Sequence, residues 1–196
     1  MEPTLAYPFN VRSFFTDRET RDIGGGIVLW RGYFQSVRPA IGRMVINIDI
    51  STGAMYMPGP LIDLALAVLG RPGNPNALAP RQGLSDRERI RLQRFITPGL
   101  KITTSYDSRQ APRLHDVKGL SREGARDLIF EPARDQLTTV AAYFRQKLKR
   151  PLHFPDVICV KVCMCPYAPL LIHPVFCSSQ MAHQSPWNFV TFPPDR

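Results

Sequence analysis

The chain has 196 residues, 44% of them hydrophobic, which suits one generous domain or a small domain with an appended unit and argues against a wholly disordered chain. Lys and Arg number 25 against 16 Asp and Glu, a formal charge of +9, and 20 of the 25 are Arg, whose guanidinium suits bidentate phosphate contact as well as a plain solvated surface. There is no run of eighteen apolar residues and no apolar segment behind a basic start, so neither a membrane span nor a secretory signal is expected.

Met1 to Asp22 is polar, contains Pro3 and Pro8, has no clear period, and reads as a connecting segment. Gly24-Gly25-Gly26 lacks the GxGxxG spacing of a phosphate loop and reads as a flexible entry into a strand over Ile27 to Phe34. Arg43 to Ile50 alternates, with Met44, Ile46, Ile48 and Ile50 on one side, the pattern of a half-buried strand. Ser51-Thr52-Gly53 is expected to turn the chain so that Ala54 to Met57 pairs back. Leu61 to Leu69 reads as an apolar helix ended by Gly70, and Arg71 to Gly83 as a linker or loop. Ser85-Asp86-Arg87-Glu88 is a capping box that opens a second helix, on which Arg87, Arg91 and Arg94 form one positive stripe. That stripe is either a solvated face partly paired with Asp86 and Glu88, or a set of phosphate contacts.

From Leu100 the texture changes to short strands: Leu100–Thr104, Val117–Ser121, Leu128–Phe130, Leu152–Phe154 and Ile158–Val162. One short helix, Thr139 to Leu148, interrupts them, and together they suggest a small barrel with an inserted αβ unit. Cys159, Cys163, Cys165 and Cys177 all fall in the last 38 residues, so a disulfide scaffold is not expected and a reducing compartment is. His115, His153, His173 and His183 are scattered, and Cys163-x-Cys165 lacks zinc-knuckle spacing. No HExxH, GxSxG or P-loop is present, so neither catalysis, nor a metal, nor a cofactor is expected. Aromatic residues interleaved with basic ones are more informative. Tyr143 and Phe144 stand beside Arg145, Lys147, Lys149 and Arg150; Phe130 lies between Arg126 and Arg134; Tyr106 precedes Arg109 and Arg113. Single-stranded nucleic acid is held by such mixtures, although aromatic core residues with incidental surface charge give a similar pattern.

Two longer motifs carry a resemblance. Gly24-Gly25-Gly26-Ile27-Val28-Leu29-Trp30-Arg31-Gly32-Tyr33-Phe34, followed by Val45-Ile46-Asn47-Ile48-Asp49-Ile50-Ser51, resembles the first linker of eukaryotic Argonaute proteins. Thr139-Val140-Ala141-Ala142-Tyr143-Phe144-Arg145-Gln146-Lys147, then Leu152-His153-Phe154-Pro155-Asp156 and Cys159-Val160-Lys161-Val162, resembles the PAZ domain that follows that linker. The phrasing around Asp22-Ile23 and Arg71-Pro72-Gly73-Asn74-Pro75 resembles fungal members. The resemblance implies an α+β fold: a linker of β-hairpin and helices, then a small OB/SH3-like PAZ β-barrel with an αβ appendage. It divides the chain into the end of an N-terminal domain (1–23), the first linker (24–98), an incomplete PAZ domain (99–162) and a tail (163–196) that does not fit the family.

By the same resemblance the function is RNA silencing: sequence-independent binding of the single-stranded 3′ end of a small RNA, without catalysis. It assigns RNA contacts to Tyr143, Lys147, Phe130 and Arg113, and more loosely to Tyr106 and His115. Leu148 stands where animal members place a second tyrosine. Read without the family, Tyr143 is half-core and Phe130 core. Other Argonaute domains or silencing proteins are the implied partners, no membrane is, and the location is cytoplasmic or nuclear. The competing readings are a structural or non-functional remnant and a protein-interaction module using the linker face. The tail is expected to be retained intron plus frameshifted exon, leaving the PAZ barrel without its last strand. Val162-Cys163-Met164 permits a splice donor, Cys177-Ser178 permits an acceptor, and in the shifted frame Trp187-Asn188 must encode Glu.

Overall fold

The computed structural model describes residues 6–8, 12–97, 99–103, 114–133, 136–149, 151–163 and 171–173. Strands β1 (Ala6–Pro8), β2 (Ser13–Gly24), β3 (Ile27–Ala40) and β4 (Arg43–Tyr56) form an antiparallel sheet in that order. Gly25 and Gly26 are the two turn residues between β2 and β3, both at positive φ (61° and 77°), the conformation a tight hairpin needs. The glycines are therefore a turn, not only an entry into a strand. Gly26 also packs directly on the first helix of the chain, since a Cβ there would lie 2.6 Å from Leu64 Cδ1.

Two sequence expectations fail in this sheet. The segment expected to connect contains β2, because pairing with β3 rather than any pattern of its own makes it a strand. Its period is also broken by an irregularity between Thr16 and Thr20. Ser51-Thr52-Gly53 does not turn: β4 runs unbroken from Arg43 to Tyr56, in register with β3 from Ala40↔Arg43 to Ile27↔Tyr56. The reversal lies at Ile41-Gly42 instead, with Gly42 at φ 71°.

A third expectation, half-burial of the alternating stripe, also fails. Directly opposed residues share a face, which puts Met44, Ile46, Ile48 and Ile50 beside Val37 and Tyr33. Ile46, Ile48 and Ile50 are 63–66% exposed. The far end of the ribbon is one layer thick, with no described residue over this face. Only the near end is covered: Phe15, Trp30 and Met55 form a small cluster with Val28 on one face, and Ile27 and Tyr56 are buried.

The rest of the described chain shares one core. Helix α1 (Leu61–Leu69) is buried nearly all round and ends on Gly70 in the left-handed conformation (φ 68°, ψ 27°), whose N–H and that of Arg71 reach Ala67 O and Leu66 O. A 3-10 turn at Pro75–Leu78 buries its own Ala77 and Leu78, and the loop that follows buries Leu84. Helix α2 (Asp86–Ile96) opens with the expected capping box: the Ser85 hydroxyl accepts from Glu88 N, and Ser85 N donates to Glu88 Oε2 at 2.9 Å. The Ser85 backbone and hydroxyl bonds, with a smaller pull from Arg71, hold the Glu88 carboxyl below the usual carboxylate range.

Beneath α2 lies the second sheet, built from β5 (Lys101–Thr103), β6 (Leu114–Gly124) and two later strands. A separate hairpin, β7 (Ile129–Ala133) with β8 (Gln136–Thr139), leads straight into α3 (Val140–Gln146). Then come β9 (Ile158–Cys163) and β10 (Leu171–His173), and the sheet order is β10-β9-β6-β5. Leu152–Phe154 is not a strand; Pro151 and Pro155 flank it and neither has an N–H to give to a ladder. Among the described strands the sheet stays open and does not close as a barrel. β10, within the segment expected to be foreign, pairs its backbone with β9.

Leu64, Leu78, Leu92, Ile96, Ile102, Val117, Val140, Ile158 and Val160 belong to one continuous buried cluster. The helices of 61–96 therefore pack with the second sheet. Where the β6–β9 ladder is irregular, between Leu120 and Gly124, the buried Ser121 hydroxyl accepts from Cys159 N and donates to Glu123 O, both at 2.7 Å. That satisfies groups the broken ladder would leave orphaned. Among the described residues no helix is long and apolar enough to cross a membrane.

Candidate nucleic-acid interface

The appendage of hairpin and helix is fixed by its own backbone bonds. Thr139 ends β8 and caps α3, its hydroxyl accepting from Ala142 N at 3.3 Å. The next orphan donors of α3 go to the chain before β7: Val140 N to Leu128 O and Ala141 N to Ala125 O. That chain is held in turn at the start of β9, through Ala125 N to Val157 O, Arg126 N to Pro155 O, and the Arg126–Asp156 ion pair at 3.1 Å. Gly124 is required here, because any Cβ would strike the Asp156 carbonyl. The first turn of the helix is thus moored both to the hairpin, through Thr139, and to the sheet, through the 125–128 segment.

This mooring brings two of the sequence-predicted residues together. Phe130 lies on β7 opposite Thr138, one residue before the α3 cap. Its ring meets that of Tyr143 edge-on, centroids 5.3 Å apart and planes at 80°. Tyr143 also touches Phe144 edge-on at 6.1 Å. Phe130 and Tyr143 are half-buried, packed by one side against the core, whereas Phe144 is buried. Among the described residues the Tyr143 hydroxyl has no hydrogen-bond partner. Lys147, one turn along on the same face of the helix, is exposed, and its N–H donates to Tyr143 O at 2.9 Å. Arg145 and Lys149 are exposed beside it.

The other assigned residues do not join this group in the same way. His115 is buried on β6 opposite Ile102, at 8% exposure, and is engaged within the protein. Tyr106 and Arg113 lie outside the described residues. Leu148 is half-buried against the core. Sequence reasoning missed how the appendage is anchored: Ser121, Gly124 and the 125–128 segment carry no motif, and only a turn glycine followed by a hydrophobic run hints at them.

At the other end of the core Tyr56 joins the ribbon to α2. Its hydroxyl donates to Phe95 O at 2.7 Å and its ring meets Phe95 edge-on at 5.3 Å. Burial pushes the phenol up to about 12.

Comparison with known proteins agrees with the motifs. The family model of the Argonaute linker 1 domain matches residues 11–57. Protein argonaute 14 of Oryza sativa subsp. japonica is 31% identical over 161 residues, 81% of this chain. The chain thus carries an Argonaute linker 1 segment and is similar to Argonaute proteins. It spans 15% of the length of that curated Argonaute relative. A solved structure of Kluyveromyces polysporus Argonaute with a guide RNA matches 97% of this chain and 22% of its own, at a TM-score of 0.62 and 16% identity, a likeness of fold. A Drosophila Ago-PAZ domain, solved in complex with 3′-end 2′-O-methylated RNA, is 29% identical over 47% of this chain and 75% of its own, with a TM-score of 0.39.

Proposed function

We propose that this Argonaute-like chain anchors the single-stranded 3′ end of a small RNA without reading its sequence, as a binding unit with no catalysis of its own. The observation that carries this reading is the ring pair at the hairpin–helix junction. Phe130 fixes Tyr143 from the side, the Tyr143 hydroxyl is left without a partner among the described residues, and the Lys147 ammonium stands one turn away. A hydroxyl donor and a cation at this spacing suit a terminal phosphodiester, and the exposed part of an aromatic ring suits the last sugar and base. Arg113 and Tyr106 complete the proposed set, whereas His115, buried on β6 and engaged within the protein, is not one of its RNA contacts. The solved Argonaute of the same fold holds a guide RNA, which favours the same partner here. Other Argonaute domains or silencing proteins are the proposed protein partners, in the cytoplasm or nucleus. We place the start of the binding body at Tyr56: the linker model ends at 57, and the continuous core begins there.

The test compares an RNA duplex bearing a two-nucleotide 3′ overhang with a blunt one. The overhang should bind more tightly. Tyr143→Phe should weaken the overhang complex about tenfold, the worth of one hydrogen bond to a charged group, about 1.5 kcal/mol, and leave the blunt complex unchanged. An unaltered preference in Tyr143→Phe sinks the site. Equal affinities that fall together with salt leave only a basic surface, and no binding at all leaves a structural remnant.

A further inference from the structure

The arginine stripe of α2 is not used by the 3′-end site. We infer that Arg87, Arg91 and Arg94 form a second, sequence-independent ridge that grips the RNA sugar-phosphate backbone away from the terminus. At 3.6 residues per turn the three fall within an arc of about 60°, opposite the buried Arg89, Leu92 and Ile96, and run about 10 Å along the helix. All three are exposed, and among the described residues none has an ion-pair partner. The acids expected to neutralise them are taken elsewhere: Asp86 pairs with Arg89 at 3.1 Å, and Glu88 is held by Ser85 and by Arg71 at 2.7 Å. Arg71 is itself tied to Gly83 O at 3.1 Å, so it keeps Glu88 away from the stripe.

Structural needs do not explain such a stripe. Arg87 sits in the first turn, where the helix dipole disfavours a cation, and like charges at this spacing repel by a few tenths of a kcal/mol each. A protein partner fits less well than a nucleic acid, because a protein interface is built round an apolar centre and this face exposes only Ile90 as a large apolar side chain, at 44%. Guanidinium groups match phosphate in pairs of hydrogen bonds, and the capping box and buried inner face hold the helix rigid beneath them.

The experiment uses the whole chain with Arg87→Gln, Arg91→Gln and Arg94→Gln combined, glutamine being a good helix former at exposed positions. Affinity for blunt duplex RNA and for the overhang duplex is measured across a salt series, with polyglutamate as a second probe. Loss of three phosphate contacts should flatten the slope of log affinity against log salt by about 2 to 3. It should weaken both RNAs by the same factor and leave any overhang preference intact. Tyr143→Phe should do the reverse, so failure of one reading does not resemble failure of the other. An unchanged slope and affinity in the folded triple variant would make the ridge a solvated surface. RNA binding unchanged with polyglutamate binding lost would make it a protein-docking face. Either result overturns the proposal.

Discussion

Tyr56 shows how much one side chain can hold in place. It closes β4, buries its ring in the main core and gives its hydroxyl to Phe95 O on α2. Because burial raises the phenol to about 12, above an unfolded value of about 10, the stabilisation from the neutral form is complete below about pH 10 and is lost as pH rises through about 12. Tyr56→Phe should cost about 1 kcal/mol near neutrality by leaving the Phe95 carbonyl without its donor. That difference from wild type should shrink between about pH 10 and 12. Denaturant unfolding of both proteins at neutral and alkaline pH checks this; a gap constant with pH would mean that the phenol ionises as freely in the fold as outside it. The sequence allowed no such reading, since a lone tyrosine before a Pro-Gly-Pro break has no signature. The Ser85–Glu88 box was fully legible because both partners are local.

At the scale of elements, periodicity told which side chains share a face and nothing about what covers that face. Met44, Ile46, Ile48 and Ile50 do line up, but toward the end of the sheet where β3 and β4 run on past β2 and no described residue covers this face. The same limit hid β2, which depends on β3 for its hydrogen bonds, and made Ser51-Thr52-Gly53 read as a turn although the long register of β3 and β4 overrides it. In α1, α2 and α3 the determinants are local, and the caps at Gly70 and Ser85 were visible in the chain, whereas Thr139 read as part of the helix it caps. Exposure of the ribbon has a measurable consequence. Ile46→Thr with Ile48→Thr should change unfolding free energy by no more than about 0.5 kcal/mol, because no buried contact is removed and threonine suits a strand. A loss of 2 kcal/mol or more in thermal or denaturant unfolding would show that this face is packed.

For the whole molecule, what matters is that one core serves the helices after the ribbon, the open sheet and the appendage. Residues 61–96 and 100–162 share a continuous set of buried side chains, with Leu92 and Ile96 of α2 joined to Ile102, Val117, Leu120 and Val160 of the sheet and Val140 of α3. Sequence alone drew a boundary at 98, where Pro98-Gly99 reads as a stop for the helix. A local break says nothing about which surfaces meet across it, and that is why residues of the proposed site could be named from sequence while the packing beneath them could not. Leu92→Ala removes a fully buried side chain at the junction and should cost about 2 to 5 kcal/mol, a large part of the 5–15 kcal/mol typical of a domain. If the core is one cooperative unit, hydrogen exchange in the variant should lose protection together in α1, β6, β9 and α3, while amides at the exposed end of the β3–β4 ribbon keep their wild-type rates. Affinity for a 3′ overhang should fall only in proportion to the unfolded fraction and return on addition of a stabilising osmolyte. Protection retained in β6, β9 and α3 while α1 and α2 open would mean two separable layers, with the proposed 3′-end site standing on the sheet alone.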